Sequence, residues 1–149
     1  MPPSNPDEVT LYSDGSSLGN PGPGGYAGIL DYRGHRREYA GGEPHTTNNR
    51  MELRAVIEGL KLLKRPCNVR VVTDSSYVAK AINEWLEGWK RREFKKVKNP
   101  DLWREYLEVS APHTVRAEWV RGHAGHPENE RCDTLARREA ERQKESING

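Results

Sequence analysis

Four acidic residues in this 149-residue chain stand where a carboxylate could take part in chemistry. Asp14 and Asp74 each close a strand-like run, whereas Glu52 and Asp133 lie in segments with helical periodicity. Several carboxylates that meet in one place cannot all stay ionised unless cations neutralise them. If the four converge, they predict a site for a hard divalent metal. Beside a basic patch, such a site would favour phosphodiester chemistry.

Each carboxylate also has a simpler interpretation, because the chain contains 22 acidic residues. Asp14 and Asp74 could be turn formers that follow strands, and Glu52 could be a charge favoured at a helix N-terminus by the helix dipole. However, Glu52 and Asp133 border the apolar positions of their helices. Charge at the edge of a core is unfavourable unless it has a partner, so we favour a shared site.

A segment rich in basic and aromatic residues follows in the middle of the chain. Six Lys or Arg residues against one Glu give Lys90–Lys98 a local charge of +5, although the whole chain carries only +2. Trp85 and Trp89 are four residues apart and share a helical face. They could be a core pair beside a solvated charge run. We favour a groove for a nucleic-acid strand, with aromatic rings against sugars or bases and cations against phosphates.

Polar residues at predicted loops and helix starts extend this hypothesis. Asn48 and Asn49 follow Thr47, which is a plausible helix N-cap. Their amides could serve capping alone, or could recognise sugar hydroxyls and phosphates at the helix N-terminus. The glycine-rich stretch 19–25 matches neither the Walker nor the dinucleotide-binding spacing. A bent loop of this kind would still let a nucleic-acid backbone approach closely.

His123 stands between Gly122 and Ala124-Gly125 in a predicted loop, which suits a mobile proton carrier with an ordinary pKa of about 6.5. His123, His126 and Cys132 do not form a structural zinc site in this interpretation, because a second pair of ligands is missing. The sequence contains no Gly-x-Ser-x-Gly motif, which argues against a serine hydrolase.

Composition indicates one domain of residues 1–149 with a thin core, since 34% of residues are hydrophobic and 31% are charged. We expect residues 1–7 and about 143–149 to be flexible tails. Two cysteines are too few for a disulfide scaffold, and we expect them to be reduced. No signal peptide or membrane span is recognisable, so we expect a soluble cytoplasmic monomer.

Hydrophobic periodicity predicts an α/β domain with a mixed sheet. The first three strands should be antiparallel and the later ones parallel through helical crossovers. Asp14 and Asp74 would then lie at carboxyl ends of neighbouring strands, where such folds place ligands. A loop is expected over residues 15–25. Strands are expected at about 9–14, 27–32, 36–39, 69–73 and 115–120, and helices at about 48–64, from 75, at 100–109 and at 129–142.

Four motifs in order closely resemble those of bacterial type 1 ribonuclease H, and the similarity covers about nine-tenths of the chain. The resemblance implies a ribonuclease H-like three-layer fold, a five-stranded mixed β-sheet with helices on both faces. It also implies hydrolysis of the RNA strand of an RNA–DNA hybrid with two Mg²⁺ ions, for which Mn²⁺ could substitute. The motifs are Asp14-Gly15-Ser16, Thr47–Leu53, Thr73-Asp74-Ser75 and Gly122–Asp133.

The resemblance assigns roles to individual residues. It implies that Asp14, Glu52, Asp74 and Asp133 bind metal, that His123 assists proton transfer or product departure, and that Glu130 is its acidic neighbour. Asn20, Asn48 and Asn49 would contact the RNA strand in the minor groove. Thr47 and Asn99 would hold a DNA phosphate. The DNA strand and its backbone would meet Tyr77, Trp85, Trp89, Lys90 and Arg91.

The resemblance is incomplete in the basic segment. The stretch between Phe94 and Val97 is shorter than in familiar bacterial members, and Phe94 stands where tryptophan is common, so hybrid affinity is the property most open to change. The resemblance also implies products with 5′-phosphate and 3′-hydroxyl ends. Cleavage should be largely independent of sequence, because phosphate and sugar contacts carry no base information. Two alternatives remain at this stage, namely a non-catalytic hybrid-binding module and a related nuclease or strand-transfer enzyme acting on DNA.

Overall fold

A computed structural model describes residues 8–122 and 125–148 and contains a five-stranded mixed sheet. The sheet order is β3-β2-β1-β4-β5; β1 pairs antiparallel with β2, as β2 does with β3, and the β1–β4 and β4–β5 pairs are parallel. The predicted topology is therefore confirmed. The strands are β1 (Glu8–Ser17), β2 (Gly22–Tyr32), β3 (His35–Thr46), β4 (Asn68–Thr73) and β5 (Thr114–Trp119).

Helices cover both faces of this sheet. Thr47 caps the first helix as predicted, because its side chain accepts a hydrogen bond from the backbone N–H of Arg50. Ser75 caps the second in the same way through Val78. Among the described residues, no helix is long and apolar enough to cross a membrane. The helices are α1 (Asn48–Lys61), α2 (Ser76–Lys80), α3 (Leu86–Arg91), α4 (Pro100–Ser110) and α5 (Pro127–Asn148), with a π-helical turn over Ala81–Trp85.

The two faces of the sheet bury different clusters. The larger core lies under α1, α2 and α4 and includes the fully buried Leu53, Ile57 and Trp103. The smaller one is covered by α5 and joins Ala27 and Ile29 of β2 to Cys132 and Ala136. Burial of these apolar side chains is the main force that fixes the layers around the sheet.

The loop expected over residues 15–25 is much shorter in the structure, and the packing of its glycines explains why. The expectation is wrong at both ends, because β1 continues to Ser17 and β2 begins at Gly22. Gly25 is a strand residue on which α5 packs, and a Cβ there would lie only 2.2 Å from the Ala136 carbonyl oxygen. Glycine in this stretch therefore serves close packing more than turning.

Two helices differ from the predicted bounds, and the start of α4 lacks the side-chain cap that Asn99 before Pro100 would suggest. The helix expected to reach residue 64 ends at Lys61. Asn99 precedes α4, but its side chain makes no capping bond, and its backbone is left-handed with φ 56°. The last helix starts at Pro127 and continues past the expected end at Arg142 to Asn148, because Glu, Arg, Gln and Lys favour helix even without an apolar stripe. Residues 1–7 lie outside the described residues, and the single-domain boundaries stay a prediction.

Candidate active site

Two strand ends and one helix start bring three of the predicted carboxylates together. Ser13 and Thr73 are partners in the parallel β1–β4 pair, so the residues that follow them, Asp14 and Asp74, lie at the same edge of the sheet. Glu52 reaches this edge from the first turns of α1. Its Oε1 accepts a 2.6 Å hydrogen bond from the backbone N–H of Gly15.

Gly15 is required for this approach of α1 to β1. A Cβ at this position would lie 2.3 Å from the Glu52 nitrogen and 2.3 Å from the Met51 carbonyl carbon. Both atoms belong to the backbone and cannot rotate away. The predicted Asp-Gly pair thus sets the distance between the strand and the helix that carry two of the carboxylates.

The three carboxylates are close enough to share cations. One oxygen each of Asp14, Glu52 and Asp74 lies within 4.8 Å of the others. Asp133 of α5 borders the same cleft, and its Oδ2 is 2.5 Å from the Nη2 of Arg137 one turn later. The cleft has a volume of about 390 Å³ and is lined by Asp14, Gly15, Ser16, Asn48, Asn49, Glu52, Asp74, Ser75, Ser76, Tyr77 and Asp133.

Burial makes the charged forms of two of these groups unfavourable. Burial first, and then the negative charges of Asp74 and Asp133, raise the pKa of Asp14 to about 7, although a hydrogen bond with Glu52 lowers it. Burial is also the main reason that the pKa of Glu52 lies well above its ordinary value, with the adjacent Asp14 second. Protonation or a bound cation would relieve this crowding.

The donor set fits divalent cations. Glu52 Oε2 is buried and has no hydrogen-bond partner among the described residues, although buried polar atoms are normally paired. The groups that meet at the cleft are carboxylates, the ligands preferred by Mg²⁺ and similar hard ions. The cleft is open to solvent, which leaves room for water and substrate.

Three residues to which the sequence analysis assigned no role hold Asp74 and its strand. The Trp119 indole Nε1 donates to the Asp74 backbone oxygen at 3.0 Å. Asn129 Nδ2 donates to the Val72 carbonyl at 3.1 Å, which ties α5 to β4. A Cβ on Gly122 would lie 3.1 Å from Asp74 Oδ2. No sequence pattern could have found these contacts, because each joins residues far apart in the chain.

Two further residues, His123 and Glu130, were expected to assist catalysis. His123 lies outside the described residues, so its role stays a prediction. Glu130 borders a small recess next to the main cleft, together with Asp74 and Asp133. This location is compatible with the auxiliary role expected for Glu130 and does not test it.

The predicted asparagines lie around the N-terminus of α1. Asn48 and Asn49 are exposed and line the cleft. The Asn20 side-chain oxygen accepts a 3.1 Å hydrogen bond from the Asn48 backbone N–H. With its oxygen engaged, the Asn20 amide presents its NH₂ group to the surroundings. The arrangement could donate hydrogen bonds to a bound strand.

Asn99 and Tyr77 meet next to Arg50 of α1. Asn99 Oδ1 accepts from Arg50 Nη1 at 3.2 Å, and Asn99 Nδ2 donates to the Tyr77 hydroxyl at 3.3 Å. Trp103 Nε1 donates to the same hydroxyl at 2.8 Å. Thr47 contacts the backbone of Arg50 as the α1 cap. The two residues expected to hold a DNA phosphate are therefore both in contact with Arg50.

The cations of the basic segment, Lys90–Lys98, are exposed to solvent, and Asn99 follows the segment directly in the chain. The Trp85 and Trp89 ring centres are 5.8 Å apart, and Trp85 is 40% exposed. All six Lys and Arg residues of Lys90–Lys98 are exposed. Positive φ angles recur at Glu93, Phe94, Lys96 and Asn99, which is uncommon for residues other than glycine. The backbone is therefore sharply turned between Glu93 and Asn99.

Comparisons with known proteins agree with the fold. The RNase H family model matches residues 6–141. The Ribonuclease H of Sulfurovum sp. (strain NBC37-1) is 75% identical over 94% of this chain and 95% of its own length. The Ribonuclease HI of Helicobacter pylori (strain ATCC 700392 / 26695) is 58% identical over 91% of this chain and 94% of its own.

Among solved structures, LC9-RNase H1, described as a type 1 RNase H with the type 2 active-site motif, superimposes with a TM-score of 0.83. It is 37% identical in sequence, and the match covers 92% of this chain and 74% of that one. LC11-RNase H1, solved in complex with an RNA/DNA hybrid, matches 90% of this chain with a TM-score of 0.64. At 23% identity, that second likeness concerns the fold alone.

Proposed function

The chain belongs to the RNase H family as a bacterial type 1 ribonuclease H, and from this premise we propose that it cleaves the RNA strand of RNA–DNA hybrids by a two-metal-ion mechanism. The proposal includes products with 5′-phosphate and 3′-hydroxyl ends and little dependence on base sequence. The observation that carries it is the convergence of Asp14, Glu52 and Asp74 within 4.8 Å in a chain of this family.

The carboxylates would hold the ions, with Asp133 completing the set from α5. Two divalent ions held there would supply the activation of a water for in-line attack and the stabilisation of charge on the leaving 3′ oxygen. The contribution of the chain is to fix the ligands beforehand. Gly15 orients Glu52 through its N–H, and Trp119 holds the backbone of Asp74. Mg²⁺ is the proposed ion, with Mn²⁺ as a substitute.

Strand choice would come from the polar groups around α1. Asn20, Asn48 and Asn49 lie where they could contact ribose, whose 2′-hydroxyl distinguishes RNA from DNA. Thr47, Tyr77 and Asn99 would engage the DNA strand next to Trp85 and Trp89. Lys90 and Arg91 would attract its phosphates. Because the asparagines would hold the RNA strand and the second group of residues the DNA strand, the RNA strand would face the carboxylates.

A cleavage assay with matched substrates tests the proposal. A labelled RNA–DNA hybrid, the same sequence as duplex DNA and the same sequence as duplex RNA are incubated with protein, with and without Mg²⁺. We expect cleavage of the hybrid alone, in the RNA strand and only with the metal. Analysis of the fragment ends should find 5′-phosphate and 3′-hydroxyl. Cleavage of duplex DNA at a similar rate would contradict the proposed substrate.

Asparagine variants test the metal ligands. Asp14→Asn and Asp74→Asn should each lower the cleavage rate about 1000-fold or more, because charge stabilisation by a metal is worth several kcal/mol. Binding of the hybrid should persist. Asp31→Asn is the matched control, since Asp31 pairs with Thr10 at the other end of β1 from the site. Full activity of either ligand variant would rule out the proposed set.

A further inference from the structure

We infer that Arg50 is a positioning residue that turns the Asn99 amide so that Asn99 and Tyr77 together donate hydrogen bonds to one phosphate of the DNA strand. The inference rests on the proposed function and assigns to Arg50 a task that does not involve touching the substrate. It begins from the hydrogen-bonding capacity of three side chains that meet between α1, α2 and α4.

Arg50 determines which end of the Asn99 amide faces inward. A guanidinium group has five donors and no acceptor. The Asn99 atom 3.2 Å from Arg50 Nη1 is therefore the oxygen, and the NH₂ group must face the other way. One of its two hydrogens goes to the Tyr77 hydroxyl at 3.3 Å. In our proposal, the second hydrogen goes to the phosphate.

The Tyr77 hydroxyl keeps its hydrogen for a further hydrogen bond, because its oxygen already accepts two. Its hydroxyl oxygen has two lone pairs and one hydrogen. Asn99 Nδ2 and Trp103 Nε1 both donate to this oxygen, at 3.3 and 2.8 Å. The lone pairs are then occupied, and the O–H hydrogen must point to another acceptor. Tyr77 lines the cleft that contains the carboxylates, and in our proposal this hydrogen goes to the phosphate of a strand bound there.

Arg50 is itself held in place by a residue outside the cleft. Its Nη1 and Nη2 donate to the two carboxylate oxygens of Asp101 at 3.1 and 2.8 Å. This forked pairing is the strongest geometry that Arg and carboxylate form. It lowers the pKa of Asp101 and raises that of Arg50. Asp101 also offsets the positive charge, so Arg50 contributes orientation more than net attraction.

The Asn99 side chain needs Arg50 to fix the orientation of its amide, because its own backbone does not. Asn99 has a left-handed backbone and makes no capping bond with its side chain. Without Arg50, the Asn99 oxygen could turn outward or cap the first turn of α4, since asparagine commonly does both. An outward oxygen would repel a phosphate, which accepts hydrogen bonds and donates none.

The test replaces one DNA phosphate at a time by an uncharged methylphosphonate in an otherwise unchanged hybrid. In the wild type, one position should weaken binding and raise KM by about tenfold, the effect of one hydrogen-bonded charged contact. Arg50→Met should itself raise KM by a similar factor with kcat little changed. The methylphosphonate at that position should then cause almost no further loss. Arg50→Lys, which can donate to Asn99 but cannot form the fork, should recover part of the sensitivity.

Arg54→Met is the matched control. Arg54 lies one turn further along α1, is 19% exposed at its side chain and pairs with both oxygens of Glu105 on α4 at 3.0 Å. Its loss removes a similar ion pair between the same two helices, without contact to Asn99. Thermal unfolding of both variants measures the structural cost. Arg54→Met should keep the full methylphosphonate sensitivity.

Two results would overturn the inference, and they can be distinguished. If Arg50→Met keeps the wild-type sensitivity at the critical phosphate, Arg50 does not position the contact, while the proposed hybrid cleavage stands. If no phosphate position matters even in the wild type, there is no phosphate contact for Arg50 to organise. The cleavage assay remains an independent test of the proposed function in both cases.

Discussion

The single residues Glu52 and Asp14 lower the stability of the folded protein when they are ionised and no cation is bound, because both carboxylates are buried. Both carboxylates are buried, and Glu52 Oε2 has no hydrogen-bond partner among the described residues. An acid with a raised folded pKa contributes stability that is present below its unfolded pKa and lost as pH rises to the folded value. For Asp14, the range runs from about 4 in the unfolded chain to about 7 in the folded one.

Asp14→Asn should therefore change stability in a pH-dependent way when divalent ions are chelated. Below pH 4 the variant and the wild type should differ little, whereas at pH 8 the variant should be more stable by up to about 4 kcal/mol, at about 1.4 kcal/mol per pKa unit. Urea unfolding at several pH values measures the difference. Because ligands that bind the folded state stabilise it, saturating Mg²⁺ should reverse the order at pH 8. A difference that is independent of pH would contradict the prediction.

His123→Ala should slow turnover without abolishing it, by about 100-fold if the residue transfers a proton. The neighbouring Gly122 lies against Asp74, since a Cβ on it would be 3.1 Å from the carboxylate. Stabilisation of the folded protein by Mg²⁺ should be unchanged, because the carboxylates remain. Rapid-mixing kinetics would separate the two expected roles, since a fast first turnover followed by a slow steady state indicates impaired product departure. An unchanged rate would remove both roles.

Gly15 and Gly88 form a contrasting pair at the scale of elements. Gly15→Ala places a Cβ 2.3 Å from backbone atoms of α1, so it should cost about 1–3 kcal/mol of stability as an overpacking change. It should also reduce cleavage, because α1 carries Glu52. Gly88 is inside α3, and a Cβ added there would meet no atom within 4 Å. Gly88→Ala should raise stability by up to about 1 kcal/mol through helix propensity and leave cleavage unchanged.

Thermal unfolding together with the hybrid assay checks both variants. If Gly15→Ala were as stable and active as the wild type, the close approach of β1 and α1 would not be needed to place Glu52. A loss of stability in Gly88→Ala would mean that α3 is not helical at that residue.

Elements were predictable where local chemistry decides them. Thr47 and Ser75 cap α1 and α2 as their side chains suggest, and Asp14 and Asp74 meet because parallel strands align their carboxyl ends. Prediction failed where the conformation of a residue depends on a contact with a residue far away in the sequence. Gly25 suggests a turn but accommodates α5, and Asn99 suggests a cap but bonds to Arg50. Tertiary contacts of this kind leave no local signal in the chain.

The positive charge of the molecule is concentrated in one segment, so a polyanion would be attracted to that part of the surface. The net charge is +2, and with +5 in Lys90–Lys98 the rest of the chain sums to −3. This segment leads into Asn99, which touches Tyr77 at the cleft. An uneven field of this kind can guide a polyanion to one side of a protein that is nearly neutral overall.

Replacing Lys90, Arg91 and Lys95 by alanine should weaken hybrid binding and flatten its dependence on salt. Each phosphate contact that is lost lowers the slope of log K against log salt by about 0.9, the value for duplex DNA. Stability should change little, because all three cations are exposed and the Lys90–Glu87 pair at 3.3 Å is a surface ion pair of small worth. Binding titrations by fluorescence anisotropy at several salt concentrations provide the slope.

A second triple variant separates local contact from total charge. Arg138, Arg142 and Lys144 are exposed on α5, so their replacement by alanine removes the same number of cations from another part of the molecule. If the basic segment touches phosphates, only the first variant flattens the slope, since counterions are released where contacts form. Equal slopes for the two variants would mean that the segment acts at long range only. The basic segment would then make no direct contact with the hybrid backbone.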